Sequence, residues 1–168
     1  MIGEGSLDAE IMLVGEAPGE KEAISGRPFI GAAGKVLSSL LDSVGLTREE
    51  VYITSVLLDR LPGSRDPLPG EIKLYSQFLD RQIEIIQPKV VATLGRFSMA
   101  YLMSKFGLIN ELKTISNIHG QIFEAQTTYG KIKLIPLYHP AVALYQASMK
   151  TVLLMDFKKL AEFLKENQ

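Results

Sequence analysis

The sequence has 168 residues, of which 46% are hydrophobic and 22% are charged, and its formal net charge is −1. These values are typical of one globular domain and indicate no overall field that would attract nucleic acid or a membrane, although a local basic patch needs only a few side chains. The absence of cysteine excludes disulfides, thiolate metal sites and thiol catalysis. No apolar run approaches the ~18 residues of a membrane span, so we expect a single cytoplasmic domain over residues 1–168, monomeric and without membrane contact.

Short apolar runs predict four buried strands, at residues 11–14, 51–57, 90–94 and 132–137. Apolar residues at helical spacing predict amphipathic helices, at residues 37–44, 70–86 and 153–164. This alternation predicts a parallel sheet with helices on both faces. Residues 119–137 differ, because segments of alternating polarity flank a turn at 128–131 and predict a hairpin that leads into the last strand.

Several chemically active side chains follow the predicted strands. Glu16 follows the first strand, Ser55 lies near the end of the second, Arg96 follows the third and His139 follows the fourth. Ligands of open parallel sheets bind beyond the carboxyl ends of the strands. We therefore expect a carboxylate, a hydroxyl, a guanidinium and an imidazole to converge at one edge of the sheet.

The loop GEAPGEKEAISGRPFIGAAG, residues 15–34, is rich in glycine but also acidic. It lacks the spacing of a phosphate-binding loop, and Glu16, Glu20 and Glu22 would repel a phosphate held on its amides. A neutral or cationic ligand, or a transition state with positive character, suits these carboxylates better. Glu20 and Glu22 taken singly are equally compatible with a solvated loop, whereas Glu16 follows directly on a buried strand.

Three other features of the sequence are weak indications of function when each is considered alone. Phe29 fits a core position better than a ligand-stacking position, and His139 fits a structural role better than a catalytic one. The segment DRLPGSRDPLPGE, residues 59–71, reads first as a surface connection between two elements. Its alternative function is a rigid loop that presents amides and Arg60 or Arg65 to the phosphates of a nucleic acid.

Together, however, four motifs carry a resemblance to a known family. In chain order they are GEAPGEKEAISGRPFIGAAG, VYITSVLLDRLPGSRDPLP, QPKVVATLGR and LYHPAVAL. In this order they resemble the uracil-DNA glycosylase superfamily, in particular the family-4 enzymes, from about residue 9 to the terminal helix. The resemblance implies a three-layer α/β/α sandwich with a central, mainly parallel four-stranded sheet. It also implies a monofunctional enzyme that flips uracil out of DNA and hydrolyses its glycosidic bond, leaving an abasic site.

The resemblance assigns catalytic roles to three residues. Glu16 matches a carboxylate near the sugar, where it would position water and offset oxocarbenium charge. Glu22 matches a second acidic position that contributes to activity. His139 matches the histidine that hydrogen-bonds the uracil oxygen and stabilises the departing uracilate, and Phe29 matches the aromatic residue on which uracil stacks. The implied base-binding set is Gly15, Glu16, Ala17, Phe29, Ser55 and His139.

The resemblance also implies a DNA-binding surface. Its proline-rich loop and basic residues would contact phosphates, and a residue after the histidine would wedge into the space that the flipped base leaves. The wedge is Val142, Ala143 or Leu144, and the sequence leaves this choice open. The predicted phosphate contacts are Pro62, Gly63, Ser64, Arg65 and Arg96.

The first departure from the family pattern concerns the iron–sulfur cluster. Family-4 enzymes hold the cluster with four cysteines, and this sequence has none. We expect the segment with the first pair to be missing, and Asp59 and Tyr75 to occupy the other two positions. The resemblance therefore implies a domain without cluster or metal, in which packing stabilises residues 59–75 and Tyr75 lies on the apolar stripe of its helix.

The second departure is Thr54-Ser55, where the family has Thr-Asn. The Asn side chain pairs with the uracil edge as donor and acceptor at once, and a serine hydroxyl cannot reproduce that pattern. We expect slower excision or an altered base choice that extends to other deaminated bases, on single- or double-stranded DNA. A catalytically weak DNA- or base-binding module is the alternative, and a nucleotide-binding domain of unrelated use is disfavoured by the acidic loop.

Overall fold

The computed structural model describes residues 1–166, and its centre is a six-stranded mixed sheet. The order of the strands across the sheet is β1-β3-β2-β4-β6-β5. The strands β2, β3, β4 and β6 are mutually parallel, whereas β1 and β5 are antiparallel edge strands. The strand bounds are β1 Glu4–Gly5, β2 Ile11–Gly15, β3 Tyr52–Ser55, β4 Val90–Leu94, β5 Phe123–Thr127 and β6 Gly130–Leu137.

The prediction of four strands is therefore wrong in number, although the four predicted strands form the parallel centre. The first edge strand has only two residues and no apolar run, so no pattern indicates it. The second edge strand is the first arm of the predicted hairpin, which is confirmed by its pairing from Phe123 to Thr127 with β6. Edge strands need not be covered on both faces, and their sequences lack the continuous apolar character of central strands.

Seven α-helices surround the sheet within residues 1–166. They are α1 Glu20–Ser25, α2 Ala32–Ser43, α3 Pro69–Ile86, α4 Arg96–Lys105, α5 Ile115–Ile118, α6 Val142–Tyr145 and α7 Met149–Glu166. The stripes that predict helices at 37–44, 70–86 and 153–164 lie in or beside α2, α3 and α7. No apolar pattern in the sequence predicts helix α4, because its buried face includes Ser98 beside Met99 and Leu102 and forms no continuous apolar stripe. Among residues 1–166 no helix is both long and apolar enough to cross a membrane.

The sheet separates two apolar cores, which confirms the three-layer arrangement. Alternate residues of β2 point to opposite faces, with Met12 and Val14 in one core and Ile11 and Leu13 in the other. Helices α3 and α4 contribute to the first core, and α2 and α7 contribute to the second. This layering brings the carboxyl ends of β2, β3, β4 and β6 to one edge of the sheet, where the loops that follow them meet.

Candidate active site

A cavity of about 320 Å³ opens at the carboxyl ends of the parallel strands. It lies between the acidic glycine loop, the proline-rich loop and the segment after β6. Predicted site residues in its walls are Glu16, Ala17, Glu22, Phe29, Ser55, Ser64, Arg65 and His139. Gly15 lies directly beneath the Phe29 ring. The remaining predicted residues are not among those lining the cavity: Pro62, Gly63, Arg96, Val142, Ala143 and Leu144.

Glu16 is positioned by the start of helix α4. Its Oε1 accepts a hydrogen bond from the backbone N–H of Phe97, at 3.1 Å. Gly95 makes this possible, because a Cβ on that residue, whose φ is +112°, would lie 2.3 Å from Oε1. Burial raises the pKa of Glu16, while the Phe97 amide and the Arg96 charge oppose the shift. The chain thus holds a half-buried carboxylate at the pocket, with a raised affinity for protons.

Phe29 lies across the end of the sheet in an unusual backbone conformation. Its φ is +49°, which is uncommon for a bulky residue. Its ring approaches Gly15 so closely that a Cβ there would lie 2.6 Å from the ring. The ring centroid of Phe29 lies 5.6 Å from that of His139, with an angle of 31° between the planes. Phe29 as a whole residue is 8% exposed, and its ring forms an apolar wall beside the imidazole.

Ser55 ends strand β3 and turns its hydroxyl toward the cavity. The residue is 2% exposed, and within residues 1–166 its side chain has no hydrogen-bond partner. The hydroxyl is therefore available to a ligand as one donor and as an acceptor. An amide side chain would present a separate donor and acceptor at fixed positions, which a hydroxyl cannot.

His139 is held in a defined tautomer. Its Nδ1 accepts a hydrogen bond from the backbone N–H of Ala141, at 3.1 Å. Protonation of Nδ1 would set two donors against each other, so the neutral ring carries its proton on Nε2. Burial lowers the pKa of His139, and the charge of Glu22 opposes the shift. The imidazole is consequently neutral at physiological pH and offers an Nε2–H donor.

Glu22 bonds to the backbone of the glycine loop. Its Oε1 accepts hydrogen bonds from the amides of Ile30, at 2.9 Å, and Gly31, at 2.7 Å. These two amides directly follow Phe29 and precede helix α2, so the carboxylate holds the turn that presents the aromatic ring. The sequence predicts a catalytic role for Glu22 and gives no indication of this contact.

The predicted phosphate-binding arginines are both paired with carboxylates. Nη2 of Arg65 lies 2.6 Å from Oε1 of Glu71. Nη2 of Arg96 lies 2.6 Å from Oδ2 of Asp66. The carboxylate of Glu71 also accepts the amide of Leu68 at the start of α3. The Arg65 guanidinium lowers the pKa of Glu71 to about 2. The proline-rich loop is thereby tied to helices α3 and α4 beside the cavity mouth.

Helix α6 presents the predicted wedge residues. Val142 and Ala143 pack partly against the core under α2 and α7, whereas Leu144 is 48% exposed. Tyr145, which sequence reasoning missed, is 88% exposed. The signal that could have found it is an aromatic residue only a few positions after the strand-end histidine. Leu144 and Tyr145 project from a short helix next to the pocket.

The two positions matched to cluster ligands bind each other instead. The hydroxyl of Tyr75 donates a hydrogen bond to Oδ2 of Asp59, and the Tyr75 ring packs against the core. Residues 1–166 contain no group of three or more histidine, cysteine or acidic side chains able to hold a metal ion. An iron–sulfur cluster needs thiolate ligands, so the residues present at this location do not fit it.

Comparison with known proteins agrees with this geometry. The family model of the uracil DNA glycosylase superfamily matches residues 2–166. This chain belongs to that superfamily. A type-4 uracil-DNA glycosylase of Archaeoglobus fulgidus is 45% identical over 99% of this chain and 82% of its own length. A type-4 enzyme of Sulfurisphaera tokodaii is 47% identical over 95% of this chain and 72% of its own length.

A third relative is of a different kind. A DNA polymerase of Bacillus phage SP01 is 31% identical over 98% of this chain, but the match covers 17% of the polymerase. A domain similar to this one is therefore part of a larger protein in that phage. The superfamily resemblance deduced from the four motifs, and the α/β fold that it implies, are confirmed.

Proposed function

We propose that this chain is a uracil-DNA glycosylase that hydrolyses the N-glycosidic bond of a uracil flipped out of DNA. The observation that carries the proposal is one cavity with the carboxylate of Glu16 on one side and the Nε2–H donor of His139 on another. The Phe29 ring beside His139 adds a surface on which a planar base can stack. The similarity to type-4 enzymes supports the same substrate.

The charges of the site match the charges that develop in this reaction. As the bond from C1′ to N1 breaks, the deoxyribose becomes positive and the electron pair moves onto the uracil ring. The ionised carboxylate of Glu16 favours the positive sugar, and the His139 donor favours the negative base. Water then adds to C1′ and gives up a proton to the solvent, the uracil anion takes up a proton from the solvent, and uracil leaves with an abasic site behind. The proposed reaction is monofunctional, with water rather than an amine as the nucleophile.

Glu22 contributes to activity through the Phe29 turn. Its two hydrogen bonds to the amides of Ile30 and Gly31 support this role. A carboxylate that already accepts two backbone donors is a poor choice for activating water. The negative charge of Glu22 also raises the pKa of His139, whereas burial of the imidazole lowers this pKa.

DNA contacts lie around the mouth of the cavity. Ser64 and Arg65 border it, Pro62 and Gly63 precede them in the same loop, and Arg96 lies at the start of α4. Each of the two guanidinium groups can exchange its carboxylate partner for a phosphate. We assign the wedge to Leu144, because Val142 and Ala143 are packed against the core. Tyr145 is the second candidate because of its exposure.

We further propose that the enzyme works in the cytoplasm as a monomer without an iron–sulfur cluster, on uracil in single- or double-stranded DNA. One chain supplies every residue assigned to the site, which supports the monomer. The hydrogen bond between Tyr75 and Asp59 supports a cluster-free fold. Iron and sulfide analysis of the purified protein, together with its mass in solution, tests these points.

The deciding experiment uses labelled oligonucleotides that contain uracil, hypoxanthine or xanthine, followed by alkaline cleavage of abasic sites. Uracil-dependent strand breaks that are lost in the Glu16→Ala and His139→Ala variants are expected. Removing one donor to a developing anion typically costs roughly 10²–10³ in rate. Tight binding to every oligonucleotide without strand breaks would instead favour the second candidate, a catalytically weak binding module.

Ser55 is the observation that favours this second candidate, and the similarity to part of a phage DNA polymerase is compatible with it. The free hydroxyl gives less base discrimination than an amide. We expect Ser55→Asn to increase uracil excision and to narrow base choice, with Ser55→Ala as the matched control. No gain with asparagine would show that Ser55 serves a different specificity.

A further inference from the structure

Arg48 lies behind the pocket, in the connection between α2 and β3, and contacts the loop that carries Phe29. Its Nη1 donates a hydrogen bond to the carbonyl oxygen of Phe29, at 2.9 Å. Its Nη2 donates to the carbonyl oxygen of Pro28, at 2.6 Å. The side chain is 17% exposed, so these bonds form largely out of contact with water.

The two carbonyl groups that Arg48 contacts belong to a turn with an unfavourable backbone conformation. A residue with the bulk of phenylalanine disfavours a φ of +49°, and such a conformation persists only where its surroundings impose it. The Phe29 carbonyl also lies so close to Gly34 that a Cβ there would be 1.8 Å from the oxygen. The ring position in the pocket thus depends on a turn that the loop would not adopt by itself.

Arg48 and Glu22 hold this turn from its two ends. The guanidinium binds the carbonyl groups of residues 28 and 29, and the carboxylate of Glu22 binds the amides of residues 30 and 31. Hydrogen bonds to charged groups are stronger than those between neutral groups. Four consecutive residues of the turn therefore have a charged partner.

Arg48 is itself fixed from behind by Glu4 of the edge strand β1. Its Nη2 lies 2.9 Å from Oε1 of Glu4, and its Nε donates to the same oxygen at 3.3 Å. Nε of Arg27 lies 2.7 Å from the other carboxylate oxygen of Glu4, Oε2. The guanidinium is thus held between an anion on one side and two carbonyl groups on the other.

We propose that Arg48 is a positioning residue for base stacking, which sets the Phe29 turn so that the ring can receive the flipped uracil. This inference rests on the proposed function. It predicts that Arg48 acts on the base only through Phe29, and that the loss of Arg48 loosens the ring without abolishing the fold.

The test combines Arg48→Ala and Arg48→Lys with Phe29→Ala in a double-mutant cycle. We expect Arg48→Ala to slow single-turnover excision roughly 10- to 100-fold, since small misplacements of a site cost up to about 10²-fold. Arg48→Lys, with one ammonium in place of a fork, should fall between alanine and wild type. In the Phe29→Ala background the Arg48 substitution should have less than about threefold effect, because coupled residues are not additive.

The matched control is Arg27→Ala, which removes a Glu4 partner but no contact with the carbonyl groups of residues 28 and 29. It should leave excision within about threefold of wild type, and thermal melting checks that each variant is folded. Affinity for an oligonucleotide with a non-hydrolysable 2′-fluoro-deoxyuridine, relative to one with thymidine, gives a readout without catalysis.

The outcomes separate this inference from the proposed function. If wild type binds the uracil analogue but excises nothing, the proposed enzyme fails while the binding cycle still tests Arg48. If Arg48→Ala lowered the excision rate by the same factor in the wild-type and Phe29→Ala backgrounds, the inference would be overturned, since this would show a general effect on the fold. An Arg48→Ala variant with wild-type excision and wild-type preference for the analogue would overturn it as well.

Discussion

Substitution of Glu22 distinguishes a carboxylate that positions the Phe29 turn from one that takes part in chemistry. Glu22→Gln retains an Oε1 that can accept from the amides of Ile30 and Gly31, but it removes the negative charge. Glu22→Ala removes both hydrogen bonds. If the role is positional, the two variants should differ strongly, whereas a proton-transfer role would be lost in both.

The size of the difference follows from the two hydrogen bonds at 2.9 and 2.7 Å. A hydrogen bond to a charged group contributes about 1.5–3 kcal/mol net, and Glu22 is only half-buried, so the low end applies. The loss of both hydrogen bonds in Glu22→Ala then costs about 3 kcal/mol of free energy. The Glu22→Gln variant keeps both hydrogen bonds, now between neutral groups, and loses about half as much free energy. If the loss falls on the transition state, excision slows about 10²-fold for alanine and about 10-fold for glutamine, at about 1.4 kcal/mol for each factor of ten.

The assay is single-turnover excision of uracil with excess enzyme, accompanied by thermal melting of each variant. Glu20→Gln is the matched control, because this neighbouring carboxylate is 70% exposed and lies at a long distance of 4.0 Å from the guanidinium of Arg60. It should excise uracil at the wild-type rate. The reasoning would be refuted by a folded Glu22→Gln variant as slow as Glu22→Ala, which would indicate that the charge or a proton of Glu22 takes part in the reaction.

Three further predictions concern pH, the fold and DNA. Excision should decline on acidification, because burial raises the pKa of Glu16 and its carboxylate is protonated at a higher pH than an ordinary glutamate, whereas the lowered pKa of His139 keeps its imidazole neutral to a lower pH than an ordinary histidine; a pH–rate profile without an acidic decline above the ordinary range of glutamate would contradict the assignment of Glu16. Tyr75→Phe should lower the melting temperature by roughly 2–4 °C, as expected for one lost hydrogen bond of about 1 kcal/mol, and an unchanged calorimetric melt would show that the contact contributes nothing. Asp66→Asn should tighten DNA binding up to about fivefold at low salt by releasing Arg96, and weaker binding in a salt titration would show that the pair shapes the loop instead.

The contrast between Phe29 and Arg48 shows how far the sequence could predict the site. Phe29 lies in a motif whose order and spacing match a family, so its role could be carried over as an expectation. Arg48 lies in a short connection and reads as an ordinary exposed charge. Its contacts reach 19 and 20 residues back along the chain, and no periodicity or spacing predicts a contact of that kind. Glu22 lies between these cases, since its importance could be inferred but its two amide partners could not.

The parallel centre of the sheet and the family could be predicted from the order of residues alone, and the roles of the site residues stay predictions. Burial on both faces leaves continuous apolar strands, and a reaction with defined charges requires defined residue types. The short first edge strand, the pairing of Tyr75 with Asp59, the tautomer of His139 and the turn that presents Phe29 emerge only in the folded chain. These depend on which backbone atoms come within hydrogen-bond reach after packing, and that distance is a property of the folded chain rather than of the order of its residues.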